Sequence, residues 1–203
     1  MSKIYCHVAN ASGELDSLEL TIETAFAKAL PIVENELKAD EIDIFFLSAP
    51  MHALPEYGIG GYSPGPNHIY VSFDPGSKNI TEAGLTETLL HEIHHCMRWR
   101  GPGYGDTLGA SMVSEGLACL YEEMHKGTAP IYATADISDE HVAEAKLVMN
   151  DGSYDHSKWF YGSEIIPRWF GYTYGYQLCK KYAEQHNMNA ADMVNITSSK
   201  ILN

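Results

Sequence analysis

Two histidines, His91 and His95, lie one helical turn apart in the segment LHEIHH at residues 90–95. A helical backbone brings residues four apart together on one face, so both imidazoles can bind the same zinc ion. Glu92 follows the first histidine and can act as general base on a zinc-activated water. The pattern His-Glu-x-x-His therefore predicts a helix, a metal and hydrolytic chemistry in one place.

The spacing of apolar residues supports this helix and divides its surface into rows. One row is apolar and predicts the buried face; it consists of Leu85, Leu89, Ile93 and Cys96. A second row is polar, with His94 between Glu87 and Arg98, and it predicts a solvent-exposed His94. His91 and His95 fall on a third side, away from both rows.

A hydrolytic zinc site needs a third protein ligand and one open position. In one class of zinc hydrolase a Gly follows the second His by three residues, and a further ligand by six. Here Arg98 and Gly101 occupy those places, which excludes that class. Two donors remain: Asp106, which also suits a helix N-cap, and Glu115 in the next predicted helix. We favour Glu115 because its neighbours are mostly apolar, where an unpaired carboxylate would be costly.

The charge balance narrows the classes of partner. Asp and Glu outnumber Lys and Arg by 27 to 13, which gives a net charge of −14. This charge disfavours nucleic acid and anionic membranes. It is compatible with a peptide or protein substrate.

The cysteines indicate the compartment. The four cysteines are far apart and form no Cys-x-x-Cys pair, so we expect free, buried thiols in a reducing cytoplasm. The sequence begins with no secretory signal pattern, and no apolar run approaches the length of a membrane span.

The periodicity predicts an α+β fold of one domain, with a small mixed sheet lobe (residues 1–80) and a helical lobe (residues 81–203). Predicted strands cover residues 3–9, 42–47 and 69–73, and a helix covers residues 18–37. The glycine-rich segment 58–66 is predicted to be a loop. Further helices are predicted at residues 83–100, 107–125, 139–149, 167–186 and 190–199. The helix that carries His91 then lies at the junction, where clefts tend to form.

Several motifs resemble a known group of enzymes. His91, Glu92 and His95, followed by Glu115, resemble the gluzincin branch of the zincin metallopeptidases. More narrowly, the chain resembles a bacterial family of predicted zinc-dependent proteases with uncharacterised substrates. The motifs that carry this resemblance are GGYSPGPN at residues 60–67, LHEIHH at 90–95, SEGLA at 114–118 and PRWFGYTYGY at 167–176.

The resemblance implies a zincin-like fold, in which an extended substrate lies along the edge strand of the sheet. We assign residues 70–73 to that edge, with the loop at residues 58–65 beside or over the cleft. The resemblance also selects Tyr172 as the donor to the oxyanion, with Tyr176 as the next choice. Tyr161 and His156 are weaker candidates for the same role.

Two alternatives compete with a peptidase. A second Glu-x-x-His pair, Glu122 with His125, could join Glu92 and His95 in a di-iron carboxylate protein, a four-helix fold that acts as an oxidoreductase. A non-catalytic zinc protein would use the same histidines, but it has no need of Glu92. The sequence therefore favours a zinc metallopeptidase.

Overall fold

The computed structural model describes residues 3–203, and the chain divides into two compact units between Arg100 and Gly101. The first unit contains β1 (Ile4–Ala9), α1 (Glu19–Glu36), β2 (Ile42–Ser48), β3 (Ile59–Tyr62), β4 (His68–Phe73) and α2 (Glu82–Arg100). The second unit contains α3 (Leu108–Lys126), α4 (Asp139–Val148), α5 (Phe170–His186) and α6 (Ser198–Leu202). A small mixed sheet with helices confirms the predicted α+β class.

The four strands of the first unit form one sheet in the order β1-β2-β4-β3. β1 and β2, and β2 and β4, are parallel, whereas β3 is antiparallel to β4. The assignment of residues 70–73 to the edge is therefore wrong, because β4 lies inside the sheet and β3 forms its edge. The prediction of a loop throughout residues 58–66 is also wrong, because Ile59–Tyr62 form the strand β3. Gly60 and Gly61 have no side chains to show the alternation by which a strand is recognised.

One face of this sheet is fully buried. Its buried side chains alternate along β2 and β4 and are Ile42, Ile44, Phe46, Ile69, Val71 and Phe73. α2 contacts β3 and β4, and α1 packs against α2. α1 contributes a buried row of small and branched residues at helical spacing, namely Ile22, Ala25, Ala29 and Val33. The apolar face of the sheet and the helices thus fix α2 beside β3.

α2 is buried along most of its C-terminal half, including its polar residues. His94 is 0% exposed, so the prediction that it faces solvent is wrong, and Arg98 of the same polar row is 0% exposed as well. Periodicity reports which residues are polar but not what covers them. A helix that is covered on several sides carries its polar groups inside, where each needs a partner.

The ends of the helices in the second unit follow local hydrogen bonding. Thr107, not Asp106, caps α3, and its side chain accepts a hydrogen bond from the backbone N–H of Ala110. The helix predicted at residues 190–199 is wrong, because most of this segment forms turns and α6 begins at Ser198. Asn189 and Asp192 accept hydrogen bonds from each other's backbone N–H groups, a local pattern that competes with helix formation.

α3 and α5 pack at a glycine contact within the second unit. A Cβ on Gly116 would lie less than 3.0 Å from the backbone of Gly175. A Cβ on Gly175 would meet the backbone carbonyl of Met112 equally closely. Since neither backbone can rotate away as a side chain would, both positions require glycine.

We expect Gly175→Ala to lower the free energy of unfolding by about 2 kcal/mol, because its Cβ would overpack this helix crossing. Chemical denaturation measures the change. Gln177→Ala is the control, since Gln177 is exposed on the same helix. An unchanged or raised stability of Gly175→Ala would contradict the close contact.

Candidate metal site

α2 brings His91 and His95 together as a buried pair. Their Nε2 atoms lie 3.0 Å apart, and their rings meet edge to face with centroids 4.6 Å apart. The residues are 7% and 5% exposed. Zinc binds imidazole nitrogen at about 2.0–2.1 Å, so two nitrogens at this separation fit neighbouring positions around one ion. The chemistry and spacing of the pair therefore suit zinc.

Glu92 is buried next to this pair and is held by the segment that follows β3. The hydroxyl of Ser63 lies 2.7 Å from Oε2 of Glu92 and 2.9 Å from its backbone oxygen. The indole N–H of Trp99 donates to the backbone oxygen of Ser63 at 3.1 Å. Ser63 could not be singled out from the sequence, because a serine beside glycine and proline is typical of an ordinary loop.

Glu115 is buried in α3 of the second unit, as its apolar neighbours predicted. The hydroxyl of Tyr104 donates a hydrogen bond to its carboxylate. The hydroxyl of Ser114 donates to the backbone oxygen of Tyr104 at 2.5 Å and so ties the preceding turn to α3. Burial and the charge of Glu115 raise the pKa of Tyr104 well above its usual value, so its hydroxyl keeps the proton it donates. Tyr104 was not predicted from the sequence, although Gly103 and Gly105 mark a tight turn around it.

Tyr172 belongs to the surroundings of Glu115. Burial raises the pKa of its hydroxyl well above the usual value, and the charge of Glu115 and then of Tyr161 raises it further. The ring packs against Tyr132 and Phe160, each at a centroid distance of 5.2 Å. Within the second unit, burial and the charge of Glu115 therefore keep the Tyr172 hydroxyl protonated.

The charge of Glu115 also affects the pKa values of His156 and Tyr154. Burial lowers the pKa of His156, while the charge of Glu115 opposes that change. The ring of His156 stacks on Phe160 at 4.3 Å. Tyr154 donates its hydroxyl to Ser111 at 2.6 Å. The charge of Glu115 thus acts on the pKa values of four aromatic side chains, which we call the Glu115 cluster: Tyr104, Tyr154, His156 and Tyr172.

Tyr176, the second choice as oxyanion donor, has a different environment. Its hydroxyl donates to the carboxylate of Glu123 at 2.8 Å and accepts from the ammonium group of Lys180 at 2.7 Å. Lys180 also donates to Glu123 at 2.9 Å. The Tyr176 hydroxyl is therefore part of an ion-pair network that joins α5 to the C-terminal part of α3.

The second Glu-x-x-His pair is also in contact with aromatic residues of the second unit. Tyr132 donates its hydroxyl to the buried Glu122, and His125 meets the ring of Tyr121 edge to face at 4.9 Å. A di-iron protein of this type needs a four-helix bundle. The first unit is instead built on a sheet, so the described residues do not form that bundle.

The cysteines do not offer an alternative nucleophile. All four are free; Cys96, Cys119 and Cys179 are buried as expected, whereas Cys6 is exposed, contrary to the prediction. Burial raises the pKa of Cys96 to about 12 and that of Cys119 well above its usual value. These two thiols stay protonated at neutral pH and are poor nucleophiles.

Comparison with known proteins agrees with this chemistry. Within residues 3–203, no helix is both long enough and apolar enough to cross a membrane. No curated protein and no solved structure matches the chain. Residues 20–203 match the family DUF2268, described as "Predicted Zn-dependent protease". The chain therefore belongs to this family of predicted zinc-dependent proteases.

Proposed function

We propose that this protein is a zinc-dependent metallopeptidase that hydrolyses peptide bonds. The observation that carries the proposal is the burial of three polar residues on α2, where His91 and His95 form a close pair and the next residue, Glu92, is buried as well. A site that only stabilised the fold would need no buried carboxylate in addition to its ligands. The family's description supports the same reaction class.

Three residues of this chain would hold the ion: His91, His95 and Glu115. Two imidazoles and one carboxylate are a common ligand set of catalytic zinc sites, which keep a fourth position open. The hydrogen bond from Tyr104 would orient the carboxylate of Glu115, as outer residues commonly do for metal ligands. Zinc, when bound, supplies Lewis-acid chemistry that polarises a carbonyl and lowers the pKa of water.

Glu92 and Tyr172 would perform the remaining steps. Glu92 takes a proton from the attacking water as general base and returns it to the leaving amine as general acid. The Tyr172 hydroxyl donates a hydrogen bond to the oxyanion that forms when the carbonyl is attacked. Its place in the Glu115 cluster supports this role, because it would then lie beside a zinc ligand.

The substrate would be a peptide in extended form. β3 is the edge strand of the sheet next to α2. Its first residue, Ile59, already accepts a backbone hydrogen bond from Leu54, so an added peptide strand would pair with the rest of β3. This assignment replaces the one made for residues 70–73. A single zincin-like domain and a reducing cytoplasm complete the proposal; the free thiols are compatible with that compartment.

Glu92→Gln tests the reaction mechanism. We expect kcat for a cleaved peptide to fall by roughly 10²–10⁴-fold, because the amide cannot accept the proton. Zinc content should stay at the wild-type level, since Glu92 is not a ligand. A peptide library locates a substrate for the wild-type enzyme, and full activity of the variant on it would exclude Glu92 as the base.

Metal content tests the third ligand. We expect the purified, untagged protein to contain one zinc per chain by plasma mass spectrometry, and Glu115→Ala to lose it. Asp106→Ala is the matched control, because Asp106 is an exposed carboxylate nine residues before Glu115. Loss of zinc from Asp106→Ala alone would move the ligand to that position. Two irons per chain would favour the di-iron alternative.

Tyr172→Phe tests the oxyanion donor. Removing one such donor should lower kcat by roughly 10²–10³-fold with little change in KM or zinc content. Tyr176→Phe is the comparison, because its hydroxyl binds Glu123 and Lys180. If Tyr176→Phe shows the larger loss of kcat, Tyr172 is not the donor.

A further inference from the structure

One buried hydroxyl is directed at Glu92. Ser63 is 8% exposed, and its hydroxyl lies within hydrogen-bonding distance of two oxygens, the carboxylate Oε2 and the backbone oxygen of Glu92. A serine hydroxyl has one proton and can donate to only one of them at a time. Since both acceptors belong to Glu92, either arrangement ties Ser63 to the same residue.

The carboxylate of Glu92 also lies next to Gly61, which has no side chain. A Cβ on Gly61 would lie less than 3.0 Å from Oε1, Cγ and Cδ of Glu92. Side chains alternate along a strand, so residue 63 follows residue 61 on the same side of β3. The carboxylate of Glu92 therefore lies against the strand, with Oε1 at Gly61 and Oε2 at Ser63.

The segment that carries Ser63 is itself attached to the end of α2. Trp99 donates its indole N–H to the backbone oxygen of Ser63 at 3.1 Å. The guanidinium group of Arg100 donates to the backbone oxygen of Pro66 at 2.9 and 3.1 Å. Glu92 and Trp99 are two turns apart on the same helix, so Ser63 is fixed to that helix at two points.

We propose that Ser63 and Gly61 are positioning residues that hold the carboxylate of Glu92 for proton transfer. This inference rests on the proposed function, in which Glu92 is the general base. A glutamate side chain has three rotatable bonds, and proton transfer requires its oxygen within hydrogen-bond reach of the reacting water. The Ser63 hydroxyl and the bare backbone at Gly61 select one orientation from these rotamers.

Two variants disturb the two contacts separately. Ser63→Ala removes the hydroxyl, and Gly61→Ala places a methyl group where the carboxylate lies. Each has a matched control in the same unit. Ser72→Ala removes the hydroxyl of a buried serine on β4, which pairs with Gly60 and so projects from the opposite face of the sheet. Gly65→Ala adds a methyl group where no atom lies within 4 Å.

The experiment combines crystal structures of the wild type and the four variants with kcat, KM and zinc content. We expect the Glu92 side chain to be displaced or to occupy several rotamers in Ser63→Ala and Gly61→Ala, while His91 and His95 keep their positions. We expect kcat to fall by about 10- to 100-fold in both variants with KM and zinc unchanged, as for a small misplacement of a catalytic group. Both controls should match the wild type.

Two results would overturn the positioning role. Glu92 keeping its single wild-type orientation in both variants would do so whatever the activity. A displaced Glu92 with unchanged kcat would also do so, provided that Glu92→Gln is inactive. If Glu92→Gln is as active as the wild type, the proposed function fails instead, and the crystal structures alone then decide whether Ser63 and Gly61 hold this side chain.

Discussion

The burial of polar side chains on α2 is the constraint on which the rest of the first unit depends. His91, Glu92 and His95 are 7%, 6% and 5% exposed, although a carboxylate or imidazole loses favourable hydration when it leaves water. Such groups are retained only where the chain supplies partners of the right chemistry. Ser63, which follows β3, forms a hydrogen bond with Glu92, and the imidazoles of His91 and His95 lie close enough to bind one metal ion. The position of β3 beside α2 is therefore a requirement of the site as well as of the sheet.

The two buried carboxylates differ in the donors that surround them. Oε2 of Glu92 lies at the Ser63 hydroxyl, and Oε1 lies against the backbone of Gly61. Glu115 lies among tyrosines whose pKa values are raised, and Tyr104 donates to it directly. A carboxylate fixed by phenols suits a metal ligand, which must keep its orientation. A carboxylate beside open backbone suits a base, which must reach a reacting molecule.

The sequence predicted those parts of the molecule in which side-chain pattern alone decides the structure. The bounds of β1, β2, β4 and α2 agree with their periodicity within one or two residues. β3 was not predicted because its glycines show no side-chain alternation. The burial of His94 and Arg98 was not predicted because the polarity of a residue does not reveal what covers it. Among the candidate site residues, the histidine pair and Glu115 could be selected from the sequence. Ser63 and Tyr104 could not, because glycines mark their segments as turns but do not show which carboxylate a side chain there contacts.

The glycines of β3 show how the site limits the sequence of the sheet. Glycine is a poor strand residue, since it gives no side chain to pack and loses the most backbone freedom on folding. At Gly61 any larger residue would occupy the space of the Glu92 carboxylate, and at Gly60 a Cβ would meet the backbone oxygen of His52. The strand therefore depends for its order on pairing with β4 and on the anchoring of residues 63–66 by Trp99 and Arg100. The backbone of this strand, which is weak by itself, therefore lies close to the carboxylate of Glu92.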